Sequence, residues 1–454
     1  MADIDPTEKT ESQLKALSEA LEAGNMQHAR RMLNELRPAE IADLLESLPY
    51  TERNLLWDLV SPDKEGVVLL EVGDEVRTTL IRDMPLEDLV NATEDMAVDD
   101  LADLIQSLPD KVTGEVLTSL DTQRRGRLEA VLSYPKDSAG GLMDTDTDSI
   151  TVRSEVTLEV VLRNLQRLGK LPSNADNLIV TAHDNRYIGV LPLTTLVTSD
   201  PQLYVADVMS REIEAIPAET EDDSVARIFE DNDLLSAPVV DEQMRLLGRI
   251  TVDDVVDVIR DEGDHSVMSM AGLTEDEDLF APVVPSSRRR ALWLGINLIT
   301  AFMASWVVSN FEGTLEKVVA IAVLMNVVAS MGGIAGTQTL TLVTRGLALG
   351  QVSRANRNWL ISKELIVGLF NGIVWALVVG GIAFLWFNEL DIGIVIAAAM
   401  IINLVVAAFS GAVIPLILRK LGIDPAIAGS VVVTTVTDIV GLFVFLGLAT
   451  VFLL

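Results

Sequence analysis

Pro425-Ala-Ile-Ala-Gly-Ser-Val-Val-Val-Thr-Thr-Val-Thr-Asp438-Ile-Val-Gly441 opens the last 30 residues of the chain. The run stays apolar to Leu454 and is long enough to cross a bilayer, which takes about 20 residues. Asp424 is placed to cap it, and Pro425 suits its first turn. Asp438 then falls near the bilayer centre, where a carboxylate costs several kcal/mol unless it meets water, a cation or a partner. Ser430, Thr434 and Asp438 are spaced by four and share one helix face, which Gly441 continues. The bland reading is a protonated Asp bonded to a neighbouring helix. The sharper one is a cation pathway, and carboxylate, hydroxyl and carbonyl oxygens suit a hard cation. Mg²⁺ sheds water reluctantly, so one or two carboxylates can hold it hydrated.

Working back from this helix, four more apolar segments lie near 291–310, 318–349, 359–387 and 391–418, so the sequence predicts five membrane helices. After residue 290 seven basic residues balance seven acidic ones, so the whole net charge of −33 lies in residues 1–290. A chain this acidic repels nucleic acid. It has no cysteine and three histidines, which excludes thiolate chemistry and argues against a histidine zinc site. Arg288, Arg289 and Arg290 precede the first span, Arg345, Arg354, Arg357 and Lys363 lie between the second and third, and Arg419 and Lys420 lie between the fourth and fifth. The other loops are acidic, which places the N-terminal part inside and the C-terminus outside. The first residues show no cleavable signal. The segment Ala329-Ser-Met-Gly-Gly-Ile-Ala-Gly-Thr-Gln338 reads equally as close helix packing or as a broken helix exposing carbonyls. A second copy related by a two-fold axis would bring two Asp438 residues together.

The acidic part divides in two. Residues 1–135 read as helix, with helical spacing in Leu14, Leu17 and Leu21. An internal repeat, Ile41-Ala-Asp-Leu-Leu-Glu-Ser-Leu-Pro49 against Leu101-Ala-Asp-Leu-Ile-Gln-Ser-Leu-Pro109, is echoed at Met84-Pro-Leu-Glu-Asp-Leu89. Short helices stopped by proline suggest a small solenoid. Residues 136–262 read as two β-α-β-β-α units, with hairpins around Asp184-Asn185 and Glu242-Gln243. A linking helix is expected from Ser266 to about Pro282. Thr251-x-x-Asp254 is a weak ribose-binding cue. Acids crowd the second unit, either as a solvated face or as a divalent-ion sensor in which a cation relieves like-charge repulsion.

Tyr134-Pro-Lys-Asp-Ser-Ala-Gly-Gly-Leu-Met143, Met331-Gly-Gly-Ile-Ala-Gly-Thr-Gln338 and Thr434-Thr-Val-Thr-Asp-Ile-Val-Gly441 resemble the MgtE family of bacterial magnesium channels, over nearly the whole chain. The resemblance implies a multi-domain membrane protein: a superhelical all-α N domain (1–135), tandem α+β CBS domains (136–200 and 201–262), a plug helix (263–287) and a five-helix all-α transmembrane domain (288–454). It implies a homodimer in the bacterial inner membrane that conducts Mg²⁺, binds no nucleic acid, is not an enzyme and is closed by cytosolic Mg²⁺. Asp438 matches the family's pore carboxylate, and Ser430 and Thr434 its pore-facing positions. Glu221, Asp223, Asp233, Asp254, Asp257 and Glu262 match acidic sensor positions. ATP between the CBS units is a further family property, for which Thr251 and Asp254 are the cue here. The chain departs from the family at Gly263-Asp264-His265-Ser266, where some members carry consecutive acids. Asn326 stands for a common proline, and Ile334 for an asparagine. The rival readings are a transporter of Co²⁺ or Mn²⁺, a divalent-sensing receptor without transport, and an intramembrane aspartyl hydrolase. The last needs a second acid well inside a membrane segment, and the sequence offers none.

Overall fold

The computed structural model describes residues 14–17, 19–20, 25–93, 96–106, 108, 110–169, 171, 174–274 and 277–454. Leu21 and Pro109 of the sequence patterns lie outside these residues. The chain forms two compact units, residues 1–263 with 276–282, and residues 264–275 with 283–454.

The first unit opens with short helices: α1 (Met26–Glu35), α2 (Pro38–Glu46), α3 (Tyr50–Trp57), α4 (Pro62–Glu71), α5 (Asp74–Asp83), α6 (Leu86–Thr93), α7 (Val98–Gln106), α8 (Asp110–Ser119) and α9 (Thr122–Leu132). Pro38 and Pro62 sit in first turns, where the missing N–H costs nothing. The even-numbered helices pack in series, α2 on α4, α4 on α6 and α6 on α8. The repeat is a repeat of burial: Ile41, Ala42, Leu44 and Leu45 in α2, and Leu101, Ala102, Leu104 and Ile105 in α7, all face the core.

Arginines close the helix ends by one recurring device. Arg53 Nε donates to the Leu45 carbonyl (2.8 Å), Arg77 Nε to Leu69 (2.7 Å) and Arg125 Nε to Leu117 (2.6 Å), each eight residues back. A guanidinium here satisfies orphan carbonyls and faces the negative end of the helix dipole. Arg53 is fully buried and also grips both carboxylate oxygens of Asp278 at 2.7 and 3.0 Å. Glu75 Oε2 accepts from the Asp278 backbone N–H. Arg53→Ala strands the buried Asp278 charge and two carbonyls. It should cost about 3 kcal/mol, read as a lower unfolding midpoint. Arg53→Lys should not rescue it, because an ammonium cannot make the fork.

Short α10 (Ala139–Leu142) joins the helices to the sheets. Gly140 must be glycine, because a Cβ there would lie 2.4 Å from the Tyr134 ring. β1 (Thr151–Arg153), α11 (Leu158–Leu168), β2 (Asn177–Thr181), β3 (Tyr187–Pro192) and α12 (Leu193–Thr198) form the first α/β unit. After α13 (Val205–Val208), the second follows as β4 (Ile216–Pro217), α14 (Asp222–Asn232), β5 (Ser236–Val240), β6 (Leu246–Thr251) and α15 (Val252–Met270). Each sheet has its first strand parallel to the second and the second antiparallel to the third. The expected hairpins are present, with left-handed Asn185 and Met244 at their turns. The second α/β unit shares one hydrophobic core with the N-terminal helices.

The linking helix differs from expectation. It does not run to Pro282: α15 continues unbroken from the second sheet, with no helix stop at Gly263, and ends at Met270. Gly272 follows at φ +72°, with its absent Cβ against the Trp293 indole, so only glycine turns the chain there. The next helix begins at Val283, earlier than the expected domain boundary.

The second unit holds five helices long and apolar enough to cross a membrane: α16 (Val283–Ser309), α18 (Val319–Ala348), α19 (Arg357–Phe387), α20 (Leu390–Lys420) and α21 (Pro425–Leu453). The short α17 (Glu312–Lys317) separates the first two. α20 packs on α18, α19 and α21 and is the most buried. The Gly-rich stretch of α18 is unbroken helix. Gly332 and Gly336 face neighbouring helices, so close packing is its structural role.

Candidate functional site: an intramembrane groove and an acidic cluster

In the second unit an open groove of about 990 Å³ runs between α18 and α21. One wall is a single helix face of α18: Asn326, Ser330, Gly333, Thr337 and Thr341 recur at helical spacing. Thr434 and Asp438 of α21 form the other wall. Asp438 is the only ionisable residue lining the groove among the described residues. Of the expected face of Ser430, Thr434 and Asp438, two residues, Thr434 and Asp438, line the groove. Ser430 is half-buried and does not line the groove. Asn326 and Ile334, two of the departures from the family, both do. Ile334 is 55% exposed and puts an apolar side chain where a polar one would offer a ligand. The groove is thus a largely apolar channel wall carrying hydroxyl and amide side chains and one carboxylate, and these oxygens are of the kind a hydrated hard cation meets.

The sequence reading missed a second acid. Glu364 of α19 is 3% exposed, and accepts hydrogen bonds from Lys363 Nζ at 2.6 Å and Thr339 Oγ1 at 3.4 Å. It stands outside the groove, so it forms no dyad with Asp438.

In the first unit the acidic sensor positions separate. Glu221 and Asp223 stand at the start of α14, and Asp233 ends it at φ 51°. An eleven-residue helix spans about 16 Å, so these ends cannot share an ion within one chain. Asp223 is bonded to Arg227 at 2.7 Å. Glu262 is exposed on α15. Asp254 and Asp257, one turn apart on α15, instead meet acids of the helical domain that sequence reasoning passed over: Asp99 and Asp100 at the start of α7, with Asp144 and Asp253 alongside. Burial, and then the like charges of Asp254, Asp100 and Asp144, push Asp99 up to about 8. Burial first, then neighbouring acids, push Asp100 to about 6. Burial pushes Asp254 to about 7 against the hydrogen bonds from Thr251 that oppose it. Asp99 Oδ1 is buried without a hydrogen-bond partner. Among the described residues no three acidic or histidine side chains close around one point as a finished ligand set. The cluster is a set of crowded carboxylates whose pKa values are raised by burial and like charge, with one oxygen, Asp99 Oδ1, that has no hydrogen-bond partner.

Thr251-x-x-Asp254 has a local explanation. Asp254 Oδ2 accepts from Thr251 N (2.9 Å) and Oγ1 (3.0 Å). Thr251 directly precedes α15 and Asp254 is its third residue, so the pair closes that helix in the manner of a capping box.

The last residues of α15, from Asp264 on, belong to the second unit. His265 Nε2 lies 2.7 Å from Asp424 Oδ2, while Asp424 Oδ1 caps α21 through Ala426 N at 2.8 Å. His265 is thus bonded to the cap of the helix that bears Asp438.

Fold and site together define a multi-pass membrane protein with an acidic N-terminal region and a membrane-unit groove that bears one carboxylate. The "divalent cation transporter" family description, MgtE, matches residues 325–448, the MgtE intracellular N domain matches 36–137, and a CBS domain matches 205–261. The magnesium transporter MgtE of Thermus thermophilus is 30% identical over 96% of this chain and 97% of its own length. That of Bacillus subtilis is 28% identical over 95% and 96%. Among solved structures, the cytosolic domain of the Mg²⁺ channel MgtE in complex with ATP is 33% identical, covers 54% of this chain and 99% of its own, and has a TM-score of 0.49. The chain belongs to the MgtE family of magnesium transporters.

Proposed function

We propose that this protein is a Mg²⁺-selective channel of the bacterial inner membrane, working as a homodimer and closed by cytosolic Mg²⁺. The observation that carries the reading is Asp438, the one ionisable side chain in an otherwise neutral groove of the membrane unit. The open side of the groove fits a second copy that completes the path and brings a second Asp438 to the axis. With Ile334 in the wall, the ion passes with its water and meets Asp438 and Thr434 through it. Ser430 lies one turn nearer the cytosolic end and serves the approach to the groove. Arg288, Arg289 and Arg290 near the start of α16, the basic residues at the facing ends of α18 and α19, and Arg419 and Lys420 at the end of α20 support cytosolic N-terminal domains and a C-terminus outside.

For closure, cytosolic Mg²⁺ binds the acids of the N and CBS domains. The principal site assembles at Asp99, Asp100, Asp254 and Asp257 as the ion draws together carboxylates that do not close around one point without it. Glu221, Asp223, Asp233 and Glu262 hold further ions at the surface. Neutralising the cluster favours the compact arrangement, and α15 passes that state through His265 to Asp424 at the start of the pore helix. ATP is the lesser regulatory ligand. The Thr251–Asp254 pair that would hold a ribose already caps α15, so Mg²⁺ is the principal signal.

Purified protein in proteoliposomes should take up Mg²⁺ when the face bearing the soluble domains is at low Mg²⁺, and stop when that face is raised to millimolar Mg²⁺. Flux that ignores cytosolic Mg²⁺ would overturn the gate and keep the channel. Uptake of Co²⁺ or Mn²⁺ in preference to Mg²⁺, or no flux of any of the three, would overturn the channel reading in favour of another transporter or a receptor.

A further inference from the structure

Asn403 lies in the middle of α20, within the bundle, and is fully buried. Its Nδ2 donates to the Val328 carbonyl of α18 at 2.8 Å. Its Oδ1 has no hydrogen-bond partner. Keeping a half-satisfied amide in a membrane core is costly, so its shape and its tie must serve something. The glycines around it show what. A Cβ on Gly332 of α18 would lie 2.3 Å from Asn403 Nδ2, and one on Gly441 of α21 would lie 2.6 Å from the same atom. Two helices, one from each wall of the groove, therefore each give up a side chain where they meet this one amide. Gly441 follows Asp438 by three residues, less than one turn. Its empty side receives Asn403, so the room that the sequence suggested it leaves is room for a neighbouring helix.

We propose that Asn403 is the positioning residue of the pore: it ties α20 to α18, seats α21 at Gly441, and so fixes how Asp438 faces Ser330 and Thr337 across the groove. This rests on the reading of Asp438 as the pore carboxylate. A wedge that touches both walls sets their separation and the rotation of α21, and a small rotation of that helix moves the carboxylate relative to the α18 face. Asn403 touches no ion itself. The same contact explains why two glycines of the recognisable motifs, Gly332 and Gly441, tolerate no side chain.

The test is a pair of double-mutant cycles on the full-length protein in proteoliposomes, reading half-saturating Mg²⁺ and maximal flux separately. Gly441→Ala overpacks the contact and should raise half-saturating Mg²⁺ about tenfold. Adding Asn403→Ala removes the atoms it strikes and should return the double variant to within about twofold of Asn403→Ala alone. Gly332→Ala with Asn403→Ala is an independent second cycle, should either alanine variant prevent folding in the first. Losses that multiply in both cycles would overturn the shared contact. A maximal flux that falls only with the yield of folded protein, at unchanged half-saturation, would overturn the positioning role and leave mere packing. Asp438→Asn is assayed alongside. If it transports normally, the pore reading fails and this proposal with it. If it is silent while the cycles are additive, only this proposal fails.

Discussion

Asp438→Ala is expected to abolish Mg²⁺ uptake, by at least about 100-fold, while the protein still assembles and elutes as the parent does. The size follows from what remains. Without the carboxylate the groove is lined by amides, hydroxyls, glycine and apolar side chains, and carries no formal charge among the described residues. A divalent ion held through one water, about 5 Å from a carboxylate, gains several kcal/mol at an effective dielectric constant of about 20. That term is what offsets moving the ion off bulk water. Neutral dipoles of the groove return only part of it. Asp438→Asn should fail almost as badly, because it keeps the shape and loses the charge. Thr434→Ala should be milder, since Thr434 offers a dipole where Asp438 offers a charge. Folding should survive, because Asp438 is half-buried and faces the open groove rather than the packed core. Normal uptake by the Asn variant would sink the proposal.

The membrane half was legible in the sequence because its signal is local. A span must be continuously apolar, and one acid in such a run stands out; the structure places the spans within a few residues of expectation, except that α16 starts early. The α/β units were legible for a similar reason, since alternation and turn residues lie next to each other in the chain. What stayed hidden depends on long-range approach. Asp99 and Asp100 look like the solvated face of a short helix until Asp254, 155 residues away from Asp99, folds against them. Asn403 looks like one polar residue in an apolar run, and only Gly332 and Gly441 on two other helices show its use. The Gly-rich stretch of α18 was ambiguous because glycine permits both a break and a close approach, and a sequence alone does not show the neighbour. The end of α15 was misread because its acids run on past Gly263 without a stop, and the turn lies at Gly272.

Asp254→Ala combined with Asp257→Ala is expected to raise the cytosolic Mg²⁺ needed for closure at least about tenfold, with the open-state flux unchanged. Both residues lie on α15, and Asp254 faces Asp99 and Asp100. The acids there carry raised pKa values, to about 8, 6 and 7 for Asp99, Asp100 and Asp254. The sign of the pH effect follows. Between the ordinary carboxylate pKa and these raised values the folded state holds more protons than the unfolded one, so stability falls as pH rises. Without Mg²⁺ the protein should therefore melt highest near pH 5 and progressively lower as the pH rises through about 6 to 8. Mg²⁺ restores at high pH what protons supply at low pH, because both neutralise the same carboxylates. The Mg²⁺-induced rise in melting temperature should be several degrees at pH 8 and should shrink as the pH falls to about 5.5, since each ion bound there must displace protons. The double variant has fewer carboxylates to neutralise, and should show a flatter pH dependence and a smaller Mg²⁺ effect. Closure at the parent's Mg²⁺ level in that variant, with its pH dependence intact, would separate the cluster from the gate. Closure would then have to come from the acids at the two ends of α14.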